Sequence, residues 1–210
     1  MKKLTFLLVL FVLLFFTIGV SAQDAANENM KIVGGVTYNT FDGTISADGM
    51  EDQDLTENNT LGSGFGFYVG GQYFLSGSIG IEAGYDVAKS SDSENNETVD
   101  NSVKGPYSKI IFNINDNVML NGGIAYYSNE IEVSTDTASM MLYEGSGIGF
   151  LLGGELNFPL NDKISLIGSG NYRFANLNLD KVLGSSDFVV ENPKINMSGF
   201  SLRSGVSFKF

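Results

Sequence analysis

The 210-residue chain contains no cysteine, no histidine and no tryptophan, and only three prolines. Without cysteine there can be no disulfide staples and no lipoprotein anchor on a modified cysteine. Without histidine a serine nucleophile lacks its usual general base, which removes the ordinary hydrolase triads. The two absences together remove the usual transition-metal ligands, so neither a metal centre nor a cofactor is expected. Basic residues are scarce as well: 12 Lys and Arg stand against 24 Asp and Glu. A chain this acidic does not bind nucleic acid through a basic patch. Long apolar runs are missing, with one exception at the N-terminus.

In that exception, Lys2 and Lys3 precede an uncharged apolar run from Leu4 to Val20, and Val20-Ser21-Ala22 supplies small residues after it. A positive start, an apolar centre and a small-residue site make up a secretory signal peptide. Residues 1–22 are therefore expected to be a signal-peptide helix cleaved between Ala22 and Gln23. The alternative is an uncleaved anchor, for which the run is at the short edge of a spanning helix. The remaining stretch, 23–210, has the length of one domain. Its 10 basic and 24 acidic residues give it a net charge of −14.

Glycine, with 26 residues, and aromatic residues, at 12%, are well represented, and they are arranged with period 2. Phe65, Phe67, Val69, Gly71 and Tyr73 alternate with Gly64, Gly66, Tyr68, Gly70 and Gln72. After residues 75–78, Ile79, Ile81, Ala83, Tyr85 and Val87 alternate with Gly80, Glu82, Gly84 and Asp86. Period 2 puts alternate side chains on opposite faces of a strand. The same pattern runs through Ile110 to Ile114, Val118 to Tyr126, Ile148 to Phe158, Ile164 to Phe174 and Phe200 to Phe210, and more weakly through Ile32 to Asn39. That makes eight strands. Short connections at about 75–78, 115–117 and 159–163 rotate with long ones at about 43–61, 89–102, 129–146 and 176–196. An even count with short turns and long loops in rotation is the layout of barrels that cross bacterial outer membranes, with the long loops outside.

The polarity of the two faces separates a membrane barrel from a soluble one. The polar face carries the small residues, among them Gly64, Gly66, Gly80, Gly84, Gly123, Gly149, Gly153 and Gly205, while the other is bulky and apolar. An eight-stranded interior has room only for its own side chains. The small face therefore belongs inside and the bulky face against lipid, since in water it would form an apolar belt larger than soluble monomers expose. The predicted fold is all-β: an eight-stranded antiparallel transmembrane β-barrel with up-and-down meander topology. With no Trp, its interfacial girdle must come from Tyr and Phe.

The chain resembles the small OmpA/OmpX-like outer-membrane barrels of the opacity-protein-like superfamily. The sharpest likeness is the ending Arg203-Ser204-Gly205-Val206-Ser207-Phe208-Lys209-Phe210. In such barrels the last strand reads polar, any, Gly, any, any, apolar, any, aromatic. The resemblance makes Arg203, Gly205, Phe208 and Phe210 a signal for the outer-membrane assembly machinery. It implies a bacterial outer-membrane location amid membrane lipid and lipopolysaccharide. The stop at Phe210 places the chain with the short members, which carry no periplasmic domain, and a monomer is expected.

The inward face also carries charges: Glu82, Asp86, Lys109, Glu155, Arg173 and Arg203, with Lys209 at its end. Buried charges must be paired, so a salt-bridge network filling the lumen is expected. A gated, porin-like pore is the alternative. The loops are acidic, with Asp48, Glu51, Asp52, Asp54 and Glu57 in the first and Asp92, Glu94, Glu97 and Asp100 in the second. Their spacing does not fit a calcium loop with alternating ligands and a central Gly, so solvated loops are expected before a divalent-cation site. The segment Ala138 to Tyr143 is apolar for a loop, and Leu177 and Leu179 alternate with Asn176, Asn178 and Asp180. The second pattern predicts a strand continuing beyond the bilayer. The first fits either a strand extension or a contact surface. The expected function is non-enzymatic: a structural or surface-binding, adhesive barrel acting through four acidic loops. A narrow porin-like channel is the alternative, and an outer-membrane enzyme ranks third.

Overall fold

A computed structural model describes residues 29–41, 44–46, 53–54, 63–94, 97–135, 138–182 and 193–210. The expected signal peptide and its Ala22–Gln23 site lie outside the described residues, as do Asp48, Glu51, Asp52 and Glu57 of the first loop.

Eleven strands are present among the described residues. They are β1 (Met30–Thr40), β2 (Thr44–Ser46), β3 (Gln53–Asp54), β4 (Ser63–Phe74), β5 (Ile79–Glu94) and β6 (Glu97–Asn115). After them come β7 (Val118–Thr135), β8 (Ala138–Pro159), β9 (Ile164–Val182), β10 (Lys194–Asn196) and β11 (Gly199–Lys209). Eight of them close a meander barrel in the order β1-β4-β5-β6-β7-β8-β9-β11, with β11 pairing antiparallel to both β9 and β1. Closure pairs each of the eight barrel strands on both sides through the membrane-spanning part, which is what lets strands cross lipid. The three short strands form an annex. β10 pairs with the upper part of β9, β2 pairs with β10, and β3 pairs with β2.

The turns at one end are tight because polar side chains cap their backbone N–H groups. Asn115 Oδ1 accepts from the N–H groups of Asn117 and Val118, both at 2.9 Å. Asn161 Oδ1 does the same for Lys163 and Ile164, also at 2.9 Å. Such Asx turns supply the hairpin connection locally.

The other end differs from the sequence reading. Residues 89–102 and 129–146 were expected to be loops, yet β5 runs to Glu94, β6 starts at Glu97, β7 runs to Thr135 and β8 starts at Ala138. Strands β6 to β9 are 18 to 22 residues long. About 9–11 residues suffice to cross a bilayer, so half of each strand stands above the lipid.

Strand β9 shows where the membrane ends. Below this point its outward residues are Ile164, Leu166, Tyr172 and Phe174, and its inward residues are Ser169, Asn171 and Arg173. Above it the outward residues are Asn176 and Asn178, and the inward ones are Ala175, Leu177 and Leu179. The polarity of both faces inverts between Phe174 and Asn176. The same exchange occurs between Ile148 and Ser146 on β8, Tyr126 and Ser128 on β7, Pro106 and Lys104 on β6, and Val87 and Lys89 on β5. These residues lie close to one level across the strands, as the pairs Phe150↔Phe174, Ile148↔Tyr126 and Val87↔Lys104 require. Apolar side chains point out where the solvent is lipid and in where it is water. Below the boundary the outward face is a band of uncovered bulk, with Phe65 73% and Leu152 64% exposed. Ring contacts line the boundary: Tyr38 with Phe65 at 5.1 Å, and Tyr172 with Phe174 at 4.6 Å and with Phe200 at 4.9 Å. Here Tyr and Phe make the girdle.

Candidate functional site

The lumen is built in layers, and small inward residues make room for the large ones. A Cβ on Gly84 would fall 2.6 Å from the Tyr107 hydroxyl oxygen, and one on Gly205 would fall 2.6 Å from that of Tyr68. Gly205 of the expected assembly signal thus also has a packing task. Of that signal's other members, Arg203 turns inward, while Phe208 and Phe210 turn outward and meet edge to face at 5.5 Å.

The layer nearest the short turns is apolar, formed by Phe74, Ile111 and Met119. Above it lie the charges. Lys109 and Glu82 are direct cross-strand partners on β5 and β6, and the Lys109 ammonium lies 3.0 Å from Glu82 Oε1. Arg203 reaches the same oxygen at 3.9 Å and donates from Nη2 to Asp86 Oδ2 at 3.0 Å. Gln72 donates from its amide nitrogen to Glu82 at 2.9 Å and to Glu155 at 3.2 Å. The Arg203 guanidinium lies between two rings, with Tyr68 and Tyr107 centred 4.9 and 4.8 Å away.

Glu82, Asp86, Lys109 and Arg203 therefore form one ion-paired cluster, at most 5% exposed. Among the described residues Glu155 is joined to it by hydrogen bonding through Gln72. Arg173 stands apart on the outer side. It is clamped between Phe41 and Tyr127, with ring centres 4.8 and 5.2 Å away, and its Nε–H donates to the Met197 carbonyl at 3.0 Å. Among the described residues no carboxylate lies within ion-pair distance of it.

Above Arg173 the lumen becomes an apolar core, a feature absent from the sequence reading of a charge-filled cylinder. Phe41, Val103, Tyr127, Ile131, Leu151, Leu177, Leu179, Ile195 and Met197 pack together, with Leu177, Ile195 and Met197 wholly buried. Phe41 and Met197 enter at two neighbouring interruptions of the wall, where β1 gives way to β2 and β10 to β11. Gly199 follows the second interruption with φ of 155°. A Cβ there would fall 2.1 Å from the Thr40 carbonyl oxygen, so the chain can cross only as glycine. Asn101, Asn129 and Ser90 form a buried hydrogen-bonded group beside this core, with Asn129 donating to Asn101 at 2.6 Å.

The lumen is thus closed by an ionic layer and, beyond it, by an apolar core that stands outside the membrane. Among the described residues no group of three metal-ligating side chains converges.

A closed eight-stranded meander with a lipid-facing apolar band and a filled interior is a bacterial outer-membrane β-barrel. The chain belongs to the outer membrane protein beta-barrel domain family, whose model matches residues 9–210. No curated protein matches it. Among solved structures it is similar to Ail, the attachment invasion locus protein of Yersinia pestis, with 12% identity and a TM-score of 0.53 over 87% of this chain and 99% of that one. It is similar to OprG from Pseudomonas aeruginosa, with 14% identity and a TM-score of 0.54 over 88% and 97%. A major outer membrane protein from Thermus thermophilus gives 13% and 0.55 over 86% and 99%. At these identities the likeness is one of fold.

Proposed function

We propose that this protein is a non-enzymatic surface barrel that contacts a partner through its outer extension and loops and conducts no solute through its lumen. The observation that carries this reading is the double closure of the lumen. A buried ion cluster is costly to hydrate and displace once paired, because removing either partner strands the other. The apolar core above it is mostly hydrocarbon, which cannot replace the water an ion would have to shed. The long outer halves of β5 to β9 are strands paired to their neighbours in place of free loops, and a pre-organised element loses less freedom on binding. Their outward residues include Glu132 and Glu130, the latter paired with Lys104 at 2.9 Å, and the sequence places further acids in the first loop. An acidic rim favours a partner with a basic surface and makes association weaken as salt rises.

Arg203, Gly205, Phe208 and Phe210 act as the assembly signal in this reading, and the barrel works as a monomer. Planar-bilayer recording of the refolded mature chain is expected to give no stable conductance. A steady, ion-selective current would replace this reading with the channel.

A further inference from the structure

The mouth of the barrel on the short-turn side, which faces the periplasm, holds an open cleft of about 520 Å³. Phe74 lies in its lining, and the Phe74, Ile111 and Met119 layer separates it from the ion cluster, so it is a blind cup. Lys31, Lys163 and Lys209 line it. These are three of the ten basic residues in a mature chain with a net charge of −14.

Lys31 and Lys209 are direct partners across β1 and β11, on the inward face of both strands. Like charges directly opposite each other destabilise a strand pair. The Lys209 N–H donates to the Lys163 carbonyl at 2.7 Å, which fixes the third lysine's backbone beside the pair. Among the described residues none of the three has a carboxylate within ion-pair distance, and Asp162 is the only acid in the lining. Lys31 Nζ lies 5.1 Å from the centre of the Phe74 ring. A ring face offsets only part of a charge. The hydroxyls of Ser165 and Ser207 also line the cup.

We propose that this cup binds a multivalent oxyanion, a phosphate-bearing ligand. Ammonium groups bind phosphate as point charges, and three of them against one lining carboxylate, Asp162, leave a net positive charge that suits a multivalent anion. The cleft volume is that of a small-molecule site. It leaves space beside the phosphate for an organic part against Phe74 and Leu160. The same chemistry is offered by a soluble phosphate compound and by a phospholipid headgroup of the inner leaflet.

The test is NMR titration of the mature chain in zwitterionic micelles with sodium pyrophosphate, against sodium chloride at equal ionic strength. Amide shifts that saturate at Lys31, Lys163 and Lys209 are expected. The triple variant Lys31→Gln/Lys163→Gln/Lys209→Gln is expected to bind at least tenfold more weakly. Lys163→Gln alone, in a turn outside the barrel wall, gives a threefold or larger loss and serves where the triple variant does not fold. Shifts at the same residues in phosphatidylglycerol nanodiscs without pyrophosphate, and not in phosphatidylcholine ones, identify the headgroup as the source. Shifts with pyrophosphate only identify a soluble ligand, and either result upholds the site. An equal response to chloride, or undiminished binding by the variants, overturns it.

Discussion

Glu82→Gln is expected to lower the unfolding free energy of the refolded barrel by about 3–5 kcal/mol, the cost of breaking a buried ion pair by removing one partner. Gln keeps the size of the side chain and its bond from Gln72 but leaves the Lys109 ammonium, 1% exposed, without its carboxylate. Arg203 loses less, because Asp86 still holds it at 3.0 Å. Lys109→Met is expected to be similarly costly, and the double variant Glu82→Gln/Lys109→Met to recover much of the loss, since a neutral pair strands no charge. The readout is urea unfolding followed by circular dichroism or by heat-modifiable gel migration, because the chain has no tryptophan to report. A loss below about 1 kcal/mol for Glu82→Gln would mean that water screens the pair, as at exposed ion pairs. That result would favour a wet lumen and hence the channel.

The second large effect belongs to the outer core. Leu177→Asp places a carboxylate at a wholly buried position among Ile195, Met197 and Leu179. An unpaired charge there costs several kcal/mol, and the structure has a way to yield: β10, β2 and β3 can detach from β9. The expected result is fast hydrogen exchange at Ile195 and Asn196 and protease cleavage near them, with the barrel below still heat-modifiable. Asn178→Asp, one residue on and exposed, is expected to change stability by no more than about 0.5 kcal/mol. Equal effects at 177 and 178 would mean that the outer strands enclose no core.

These two regions differ in how far they were legible in the sequence. The membrane half was plain, because Phe65 to Tyr73 and Ile79 to Val87 alternate without interruption between a lipid face and a small-residue face. The inward direction of Glu82, Lys109 and Arg203 followed from the same parity. Their pairing did not, because it depends on the stagger of the strands around the barrel, which places Arg203 level with Asp86 and Arg173 above both. The outer half was partly legible. Leu177 and Leu179 signalled a continuing strand, but the switch from the even parity of Tyr172 and Phe174 to their odd parity gained its meaning as the membrane boundary only from the structure. Residues 89–102 and 129–146 read as loops because their outward faces turn polar at Lys89 and Ser128, although a strand leaving lipid for water must do just that. Phe41, Ile195 and Met197 gave almost no signal. Two sit at strand interruptions and the third in a three-residue strand, and all three join the core through pairings between β2, β10 and β9 that no local pattern encodes.

The absence of cysteine allows the boundary itself to be measured, because any single introduced thiol is the only one in the protein. Single cysteines at 172, 174, 175, 176, 177 and 178 of β9, challenged on intact cells with a membrane-impermeant maleimide, test the polarity inversion one residue at a time. Labelling is expected at 176 and 178 and protection at the other four: 172 and 174 by lipid, 175 and 177 by the outer core. Labelling at 174 together with protection at 178 would contradict the inversion, because the apolar face of β9 would then meet water and the polar one would not.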